Sequence, residues 1–252
     1  MTDQDLTREA CRVVDLGKEK GIALRVMGAT AFRIHCPKYA DLHSKLGREL
    51  SDLDFAAIGK QKEDVFGVIR EAGYQMDRKL EFVMKMYDRF KFQSVNNGWI
   101  LDVFFDKLEM CHTIDFAKRL QLDYPTLNLS DLLLEKLQIV QLTDKDVKDS
   151  SILLLEHEVG QGEPESIDCD YIARLFADDW GFYYTGTTNL RKVHEALTAI
   201  PQLKESDKST ISNRIDRLLT AVEERSKSMG WKMRAKIGPS KKWYRDVDGT
   251  PA

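Results

Sequence analysis

Two aspartates two residues apart are the first feature of the chain that could do chemistry. Asp52 and Asp54 lie in the segment RELSDLDFAAI, residues 48–58, whose apolar content is typical of a strand. Because successive strand side chains point to opposite faces, both carboxylates share one face, while Leu53 and Phe55 face the core. Two neighbouring carboxylates repel each other unless a cation lies between them, and Mg²⁺ prefers such oxygen ligands. The pair therefore predicts a magnesium site.

A third carboxylate, Asp102, interrupts the apolar run WILDVFF, residues 99–105. If this strand lies beside residues 52–58, the three carboxylates could converge on two metal ions. Two metals can stabilise the attacking and leaving oxygens together, which is the chemistry of phosphoryl or nucleotidyl transfer. The alternative is structural: Asp102 pairs with Arg89 or Lys91 on the neighbouring strand, because a buried charge without a partner is costly.

A glycine turn precedes the acids. Gly28, Ala29 and Thr30 join the apolar segment Ile22–Met27 to the helical pattern of residues 29–35. The free backbone N–H groups and the dipole at the start of a helix bind phosphate. The turn therefore predicts a phosphate site that complements the acids.

The elements that must position these residues form an α+β pattern. Strands are expected at Ile22–Met27, Asp52–Ile58, Tyr74–Asp77, Arg89–Val95 and Trp99–Phe105, the last two joined by a tight Asn-Asn-Gly hairpin turn. Helices are expected at Asp5–Lys20, at Lys62–Ala72 and, after Pro125, over most of the chain. We therefore predict a mixed β-sheet with flanking helices, followed by a mainly helical C-terminal region. The expected domains are residues 1–125, a helical domain 126–229, and a basic, flexible tail 230–252.

Composition bounds the class of protein. The 252 residues include 38 Lys and Arg against 41 Asp and Glu, so any nucleic-acid surface must be local. No apolar run approaches the roughly 20 residues of a membrane span, and the acidic start does not fit a secretory signal. We therefore expect a cytoplasmic protein. Its four scattered cysteines fit buried thiols better than a zinc or disulfide framework.

The motifs together resemble a known group. MGATAFRIH, RELSDLDF and LDVFF resemble the nucleotidyltransferase fold of the DNA polymerase β superfamily. More narrowly, GATAF followed by R-x-x-S-D-L-D-F is similar to the AbiEii-like group of toxin nucleotidyltransferases. LLLEKLQIV and KDVKDSSILL match that group's later pattern of a helical lysine and an Asp-x-x-Asp. The resemblance covers about Met27 to Leu155.

The resemblance implies Mg²⁺-dependent transfer of a nucleoside monophosphate from an NTP to a hydroxyl, with RNA as one candidate acceptor. Asp52 and Asp54 would hold the metal, and Asp102 would complete the metal site or accept the acceptor's proton. Asp146 or Asp149 would support the site. The partners implied are an antitoxin or a second copy of the chain. The nucleotide-binding residues that it implies are Gly28, Ala29, Thr30 and Lys136.

Departures from the family pattern support an alternative. Ala29 lacks the hydroxyl that a serine would offer to phosphate, and the arginine expected between the lysine and the Asp-x-x-Asp is missing. The alternative is a catalytically degenerate member of the fold that binds nucleotide or RNA and has a regulatory role. Simpler interpretations also exist for the helical residues: Lys136 as a surface lysine, and Asp146 as a helix cap with Thr143.

Two other features allow more than one interpretation. Arg48 is expected to brace Asp52 or to reach phosphate, and Asp149 is expected either to support the site or to form a surface pair with Lys145. The segment Arg225–Arg245 is basic, contains no acid, and is interleaved with aromatic residues. That pattern is typical of RNA binding, with a solvated tail as the alternative.

Overall fold

The computed structural model describes residues 2–76, 89–162 and 166–247. The chain forms two compact units, each assembled from separate stretches of sequence. Unit 1 contains Met1–Pro37, Glu49–Glu109 and Ile114–Asn128, and unit 2 contains Lys38–Arg48, Met110–Thr113 and Leu129–Ala252. Among the described residues, no helix combines the length and the apolar character needed to cross a bilayer.

The described elements up to residue 128 include four α-helices and seven strands, and the short helix α3 belongs to unit 2. The helices are α1 (Asp3–Glu19), α2 (Gly28–His35), α3 (Ala40–Lys45) and α4 (Lys62–Glu71). The strands are β1 (Leu24–Met27), β2 (Leu53–Ala57), β3 (Tyr74–Met76), β4 (Arg89–Ser94), β5 (Ile100–Phe105), β6 (Lys107–Glu109) and β7 (Thr113–Asp115). The five predicted strands are all present, although Asp77, the predicted end of one of them, lies outside the described residues. Between β1 and β2 the chain also forms α3, which buries Leu42.

Unit 1 is built on a five-stranded mixed sheet in the order β1-β2-β5-β4-β3. β2 and β5 run parallel, whereas the other neighbouring strands are antiparallel. One face of the sheet carries an aromatic core, in which Phe66 of α4 packs at ring-centroid distances of 5.0, 5.6 and 5.9 Å from Phe90, Phe92 and Phe105. This burial fixes which side chains point to the opposite face.

Unit 2 is mainly helical. Besides α3, its helices are α5 (Leu129–Leu137), α6 (Asp144–Glu156), α7 (Cys169–Asp178), α8 (Trp180–Ala196), α9 (Glu205–Glu224) and α10 (Met229–Ile237). Two short parallel strands, β8 (Val159–Gly160) and β9 (Ile167–Asp168), also belong to it. The predicted α+β class, with a mixed sheet, flanking helices and a mainly helical C-terminal region, is confirmed.

The segment after α9 has defined structure up to Val247. The helix α9 ends at Glu224, and a separate helix, α10, begins after Ser228, whose hydroxyl accepts from the Trp231 N–H. Residues 248–252 of the expected tail lie outside the described part of the chain.

Candidate functional site

The acidic face of unit 1 lies at the centre of its sheet. Asp54 on β2 is the register partner of Met27 on β1 and of Asp102 on β5. Leu53 and Phe55, on either side of Asp54, are fully buried, whereas Asp54 is half-buried. The predicted alternation of carboxylates and core residues is therefore confirmed, as is the predicted placement of the Asp102 strand beside the Asp54 strand.

The glycine turn lies against Asp54. Gly28 has φ +64°, and a Cβ placed there would come within 2.3 Å of Asp54 Oδ2. Only glycine allows this backbone conformation without strain and this close an approach. Thr30 is buried, and its hydroxyl donates to the backbone carbonyl of Asp52 at 3.3 Å. The structure thus brings the first turn of α2 together with both predicted metal-binding aspartates.

Asp102 is held by cations from the neighbouring strand. Its carboxylate is 3% exposed, and Oδ2 lies 2.8 Å from the Arg89 guanidinium and 3.9 Å from Lys91 Nζ. The alternative that Asp102 pairs with Arg89 or Lys91 on the neighbouring strand is therefore confirmed. Its other oxygen, Oδ1, is buried and has no hydrogen-bond partner among the described residues. One oxygen of this buried carboxylate is thus paired, and the other is buried without a partner among the described residues.

Arg89 lies in the field of all three acids. Burial on its own would lower the pKa of Arg89, but the carboxylates of Asp102, Asp54 and Asp52 outweigh burial and raise that pKa. The guanidinium therefore remains charged and neutralises part of the acidic face. The Arg89 guanidinium lies next to Asp102, at a position where the nearby carboxylates favour a cation.

The donor set fits a magnesium site of two carboxylates better than one of three. Within residues 2–76, 89–162 and 166–247, no group of three or more acidic, histidine or cysteine side chains is placed to hold a metal ion. The predicted convergence of Asp102 with Asp52 and Asp54 on metal is thus not seen. Mg²⁺ is often held by one or two carboxylates together with substrate phosphates, and Asp52 and Asp54 meet that smaller requirement.

Unit 2 contains a separate buried cluster of charges. Arg48 donates to both carboxylate oxygens of Asp149, at 2.8 and 3.0 Å. Lys136 Nζ lies 3.0 Å from Asp149 and 3.3 Å from Asp146. The expectation that Arg48 braces Asp52 or reaches phosphate is therefore not what the structure shows, because Arg48 pairs with Asp149. Likewise Lys136 is buried rather than a surface lysine, and Asp149 is not a surface partner of Lys145.

Electrostatics hold this cluster in its charged form. Burial on its own would lower the pKa of Lys136, but the carboxylates of Asp149 and Asp146 raise it to about 12. Burial would raise the pKa of Asp149, but Lys136 and Arg48 lower it instead. Asp146 also forms the predicted capping box with Thr143 at the start of α6. The sequence pattern gave no signal for the Arg48–Asp149 pair, because 101 positions separate the two residues.

His112 lies at the centre of a second buried group in unit 2, and no sequence motif points to it. His112 Nε2 lies 2.8 Å from the hydroxyl of Thr185, which also accepts from Trp243 Nε1 at 3.0 Å. The imidazole stacks on Phe182 at 5.0 Å. Burial, helped by Arg245, lowers the pKa of His112 to about 4 despite the opposing charge of Asp179. His112 is therefore neutral near pH 7.

Comparisons with known proteins yield one structural likeness. Neither a protein-family model nor a curated protein matches the chain, so the resemblance to the AbiEii-like group stays a prediction. A solution structure of the antibiotic-resistance factor ANT(2'')-Ia is similar over 60% of this chain and 84% of its own, with 11% sequence identity and a TM-score of 0.40.

Proposed function

We propose that the chain is a nucleotidyltransferase that moves a nucleoside monophosphate from an NTP to a hydroxyl acceptor. One observation carries the proposal: Gly28, at the start of a helix, lies directly against Asp54, which is paired in register with Asp102. A helix start and a carboxylate pair on one sheet face are what a metal-bound triphosphate requires. The motifs quoted above support the same reaction class.

The residues of unit 1 take separate roles in this proposal. Asp52 and Asp54 would hold Mg²⁺, which supplies charge stabilisation for the phosphates when bound. The backbone N–H groups of Gly28, Ala29 and Thr30 would bind the leaving pyrophosphate, so the missing hydroxyl at position 29 removes only one side-chain contact.

Asp102 would act as the base. The acceptor hydroxyl would give its proton to the Asp102 carboxylate as its own oxygen bonds to the α-phosphorus. The bond from that phosphorus to the pyrophosphate oxygen breaks, and pyrophosphate leaves. Arg89 on Oδ2 keeps the base oriented.

Lys136 is the remaining residue that the motif assigns to nucleotide binding. It lies in unit 2, where its charge is already shared between Asp146 and Asp149. We retain it as a nucleotide-contacting residue on the strength of the motif. A Lys136→Met variant that is folded but binds NTP as well as the native chain would remove it from the nucleotide site.

The acceptor that we propose is RNA, because the AbiEii-like resemblance points to it. The experiment offers each of the four NTPs, labelled at the α-phosphate, with Mg²⁺ and total RNA. We expect label on RNA with the native chain and none with Asp54→Asn. The matched control is Asp64→Asn, an exposed aspartate of α4, which should leave transfer unchanged. Full transfer by a folded Asp54→Asn variant would refute the assignment.

A second candidate function is nucleotide binding without transfer. The observation that favours it is the Arg89–Asp102 pair, in which a protein cation lies on the carboxylate that was expected to complete the metal site. Measuring NTP binding and pyrophosphate release on the same preparation separates the two functions. Binding without release, in the presence of Mg²⁺ and RNA, would indicate a regulatory member of the fold.

A further inference from the structure

Large apolar side chains are exposed at four positions in the described part of the chain. Val95, Met229, Met233 and Ile237 are exposed by 54%, 71%, 59% and 48%. The last three lie four residues apart along α10, so they form a single line on one helix face. We call them the α10 stripe. Clustered exposed apolar side chains are typical of an interaction surface, whereas single ones are ordinary.

The stripe is exposed on a helix that is firmly attached to unit 2. On the other side of α10, the Trp231 ring packs on Tyr183 at 5.1 Å. The Arg234 guanidinium lies 4.5 Å above the Trp180 ring. The backbone N–H of Ser228, just before the helix, donates to the Ala177 carbonyl at 3.0 Å. The exposure is therefore a property of a fixed surface.

Positive charge surrounds the stripe. Lys232 and Lys236 are exposed on α10, each next in sequence to a residue of the stripe, and Lys241 is exposed shortly after the helix. No aspartate or glutamate occurs from Arg225 to Arg245. A partner that covers the stripe must therefore place negative charge beside its own apolar side chains.

The packing of the aromatic residues argues against RNA as this partner. Stacking on bases needs free ring faces. Instead Trp231 packs on Tyr183, and Trp243 packs on Tyr184 at 5.0 Å while its indole N–H donates to Thr185. The apolar side chains left exposed are methionine and isoleucine, which suit a protein surface better than a nucleic acid.

Two other occupants fit less well. In a two-fold dimer through the stripe, Lys232 and Lys236 would face the same lysines of the second copy, and such like charges oppose association. A membrane-surface helix has a larger apolar face than three side chains on the nine residues of α10.

We propose that the α10 stripe binds an acidic protein segment that forms an amphipathic helix. Its apolar side chains cover Met229, Met233 and Ile237, and its carboxylates pair with Lys232 and Lys236. Methionine surfaces adapt to different apolar partners, which suits a helix laid across the stripe. The small apolar area predicts a weak, reversible interface.

The test uses a fluorescein-labelled peptide of leucine and glutamate with leucines at helical spacing, and a scrambled peptide of the same composition. Fluorescence anisotropy with the full chain should show binding of the patterned peptide only. Changing Met229, Met233 and Ile237 together to serine should raise Kd by about tenfold or more, since each tenfold corresponds to about 1.4 kcal/mol. Added salt should also raise it, because the lysines contribute.

The matched control is Val95→Ser, which removes the exposed apolar side chain that lies outside the stripe and should leave Kd unchanged. Circular dichroism verifies that every variant is folded. Equal binding of the two peptides, or binding that the serine changes do not weaken, would overturn the proposal. The proposal would also be overturned if the serine changes abolished a different interaction instead. That interaction could be the binding of single-stranded RNA, the binding of phosphatidylserine vesicles, or self-association measured by sedimentation.

Discussion

Arg89 and Asp102 form an ion pair between adjacent antiparallel strands, with the guanidinium 2.8 Å from Oδ2. The two residues are diagonal neighbours, since Arg89 is in register with Phe104 and Asp102 with Lys91. Asp102 is buried while Arg89 is 44% exposed. The carboxylate therefore depends on the arginine for its charge balance more than the arginine depends on the carboxylate.

Replacing Arg89 by glutamine should destabilise the chain by about 1–2 kcal/mol, because a buried carboxylate loses its main cation while Lys91 remains near it. Urea unfolding measures the loss. The matched control is Lys20→Gln, which breaks the exposed pair with Glu71 and should cost less than about 0.5 kcal/mol. Adding Asp102→Asn to the Arg89 variant should restore much of the stability. An equal loss in both single variants would show that Asp102 does not depend on Arg89.

Gly28→Ala should affect activity more than stability. The positive φ alone should cost about 1–2 kcal/mol, and the new Cβ would force Asp54 to rotate away. Gly47→Ala is the control, because Gly47 has the same φ of +64° but nothing within 4 Å of a new Cβ. We expect similar losses of stability in urea, with pyrophosphate release lost only in Gly28→Ala. Full release by that variant would exclude the close approach from the mechanism.

Asp149→Asn should destabilise unit 2 by about 3 kcal/mol, because it leaves Arg48 and Lys136 buried with less compensating charge. Asp144→Asn is the control on the same helix, since the Asp144 side chain is 76% exposed and pairs only with Lys148 four residues later among the contacts observed. That change should cost less than about 0.5 kcal/mol. Thermal and urea unfolding should agree, and equal effects of the two changes would contradict a structural role for the buried cluster.

Acid should weaken the fold through His112. Its pKa is about 4 in the folded chain against an ordinary value of 6.5, so the unfolded chain takes up a proton first as pH falls. The contribution of His112 to stability is therefore complete above pH 6.5 and decreases as pH falls towards 4. Between pH 7 and 5 the native chain should lose about 2 kcal/mol that a His112→Gln variant does not lose. Parallel pH dependences of unfolding in the two proteins would refute this.

The sequence predicted the features that depend on local pattern. The alternation around Asp54 and the Asn-Asn-Gly turn were sufficient to place the strands and their faces, because both follow from strand periodicity and turn chemistry. The glycine at position 28 was likewise identified from its place between a strand and a helix.

The charge partners were harder to predict, because they depend on contacts between distant parts of the chain. Arg89 was one of two candidates for Asp102, and only the strand register and side-chain reach decide between them. Arg48 was expected near Asp52, four positions away, but it pairs with Asp149 in another segment. Helical periodicity placed Lys136 beside the apolar face of its helix. It did not show that the helix face that carries Lys136 is buried as well.

The route of the chain between the units has a consequence for dissection of the protein. Lys38–Arg48 belongs to unit 2 although unit 1 resumes at Glu49, so neither unit is a single stretch of sequence. A fragment that ends near Pro125 would contain Arg48 without Asp149, and the complementary fragment would contain Asp149 without Arg48. Each piece would expose an unmatched charge that the intact chain buries. Expression trials should therefore keep the chain whole, and mixing the two fragments offers a complementation assay in which recovery of structure depends on one salt bridge.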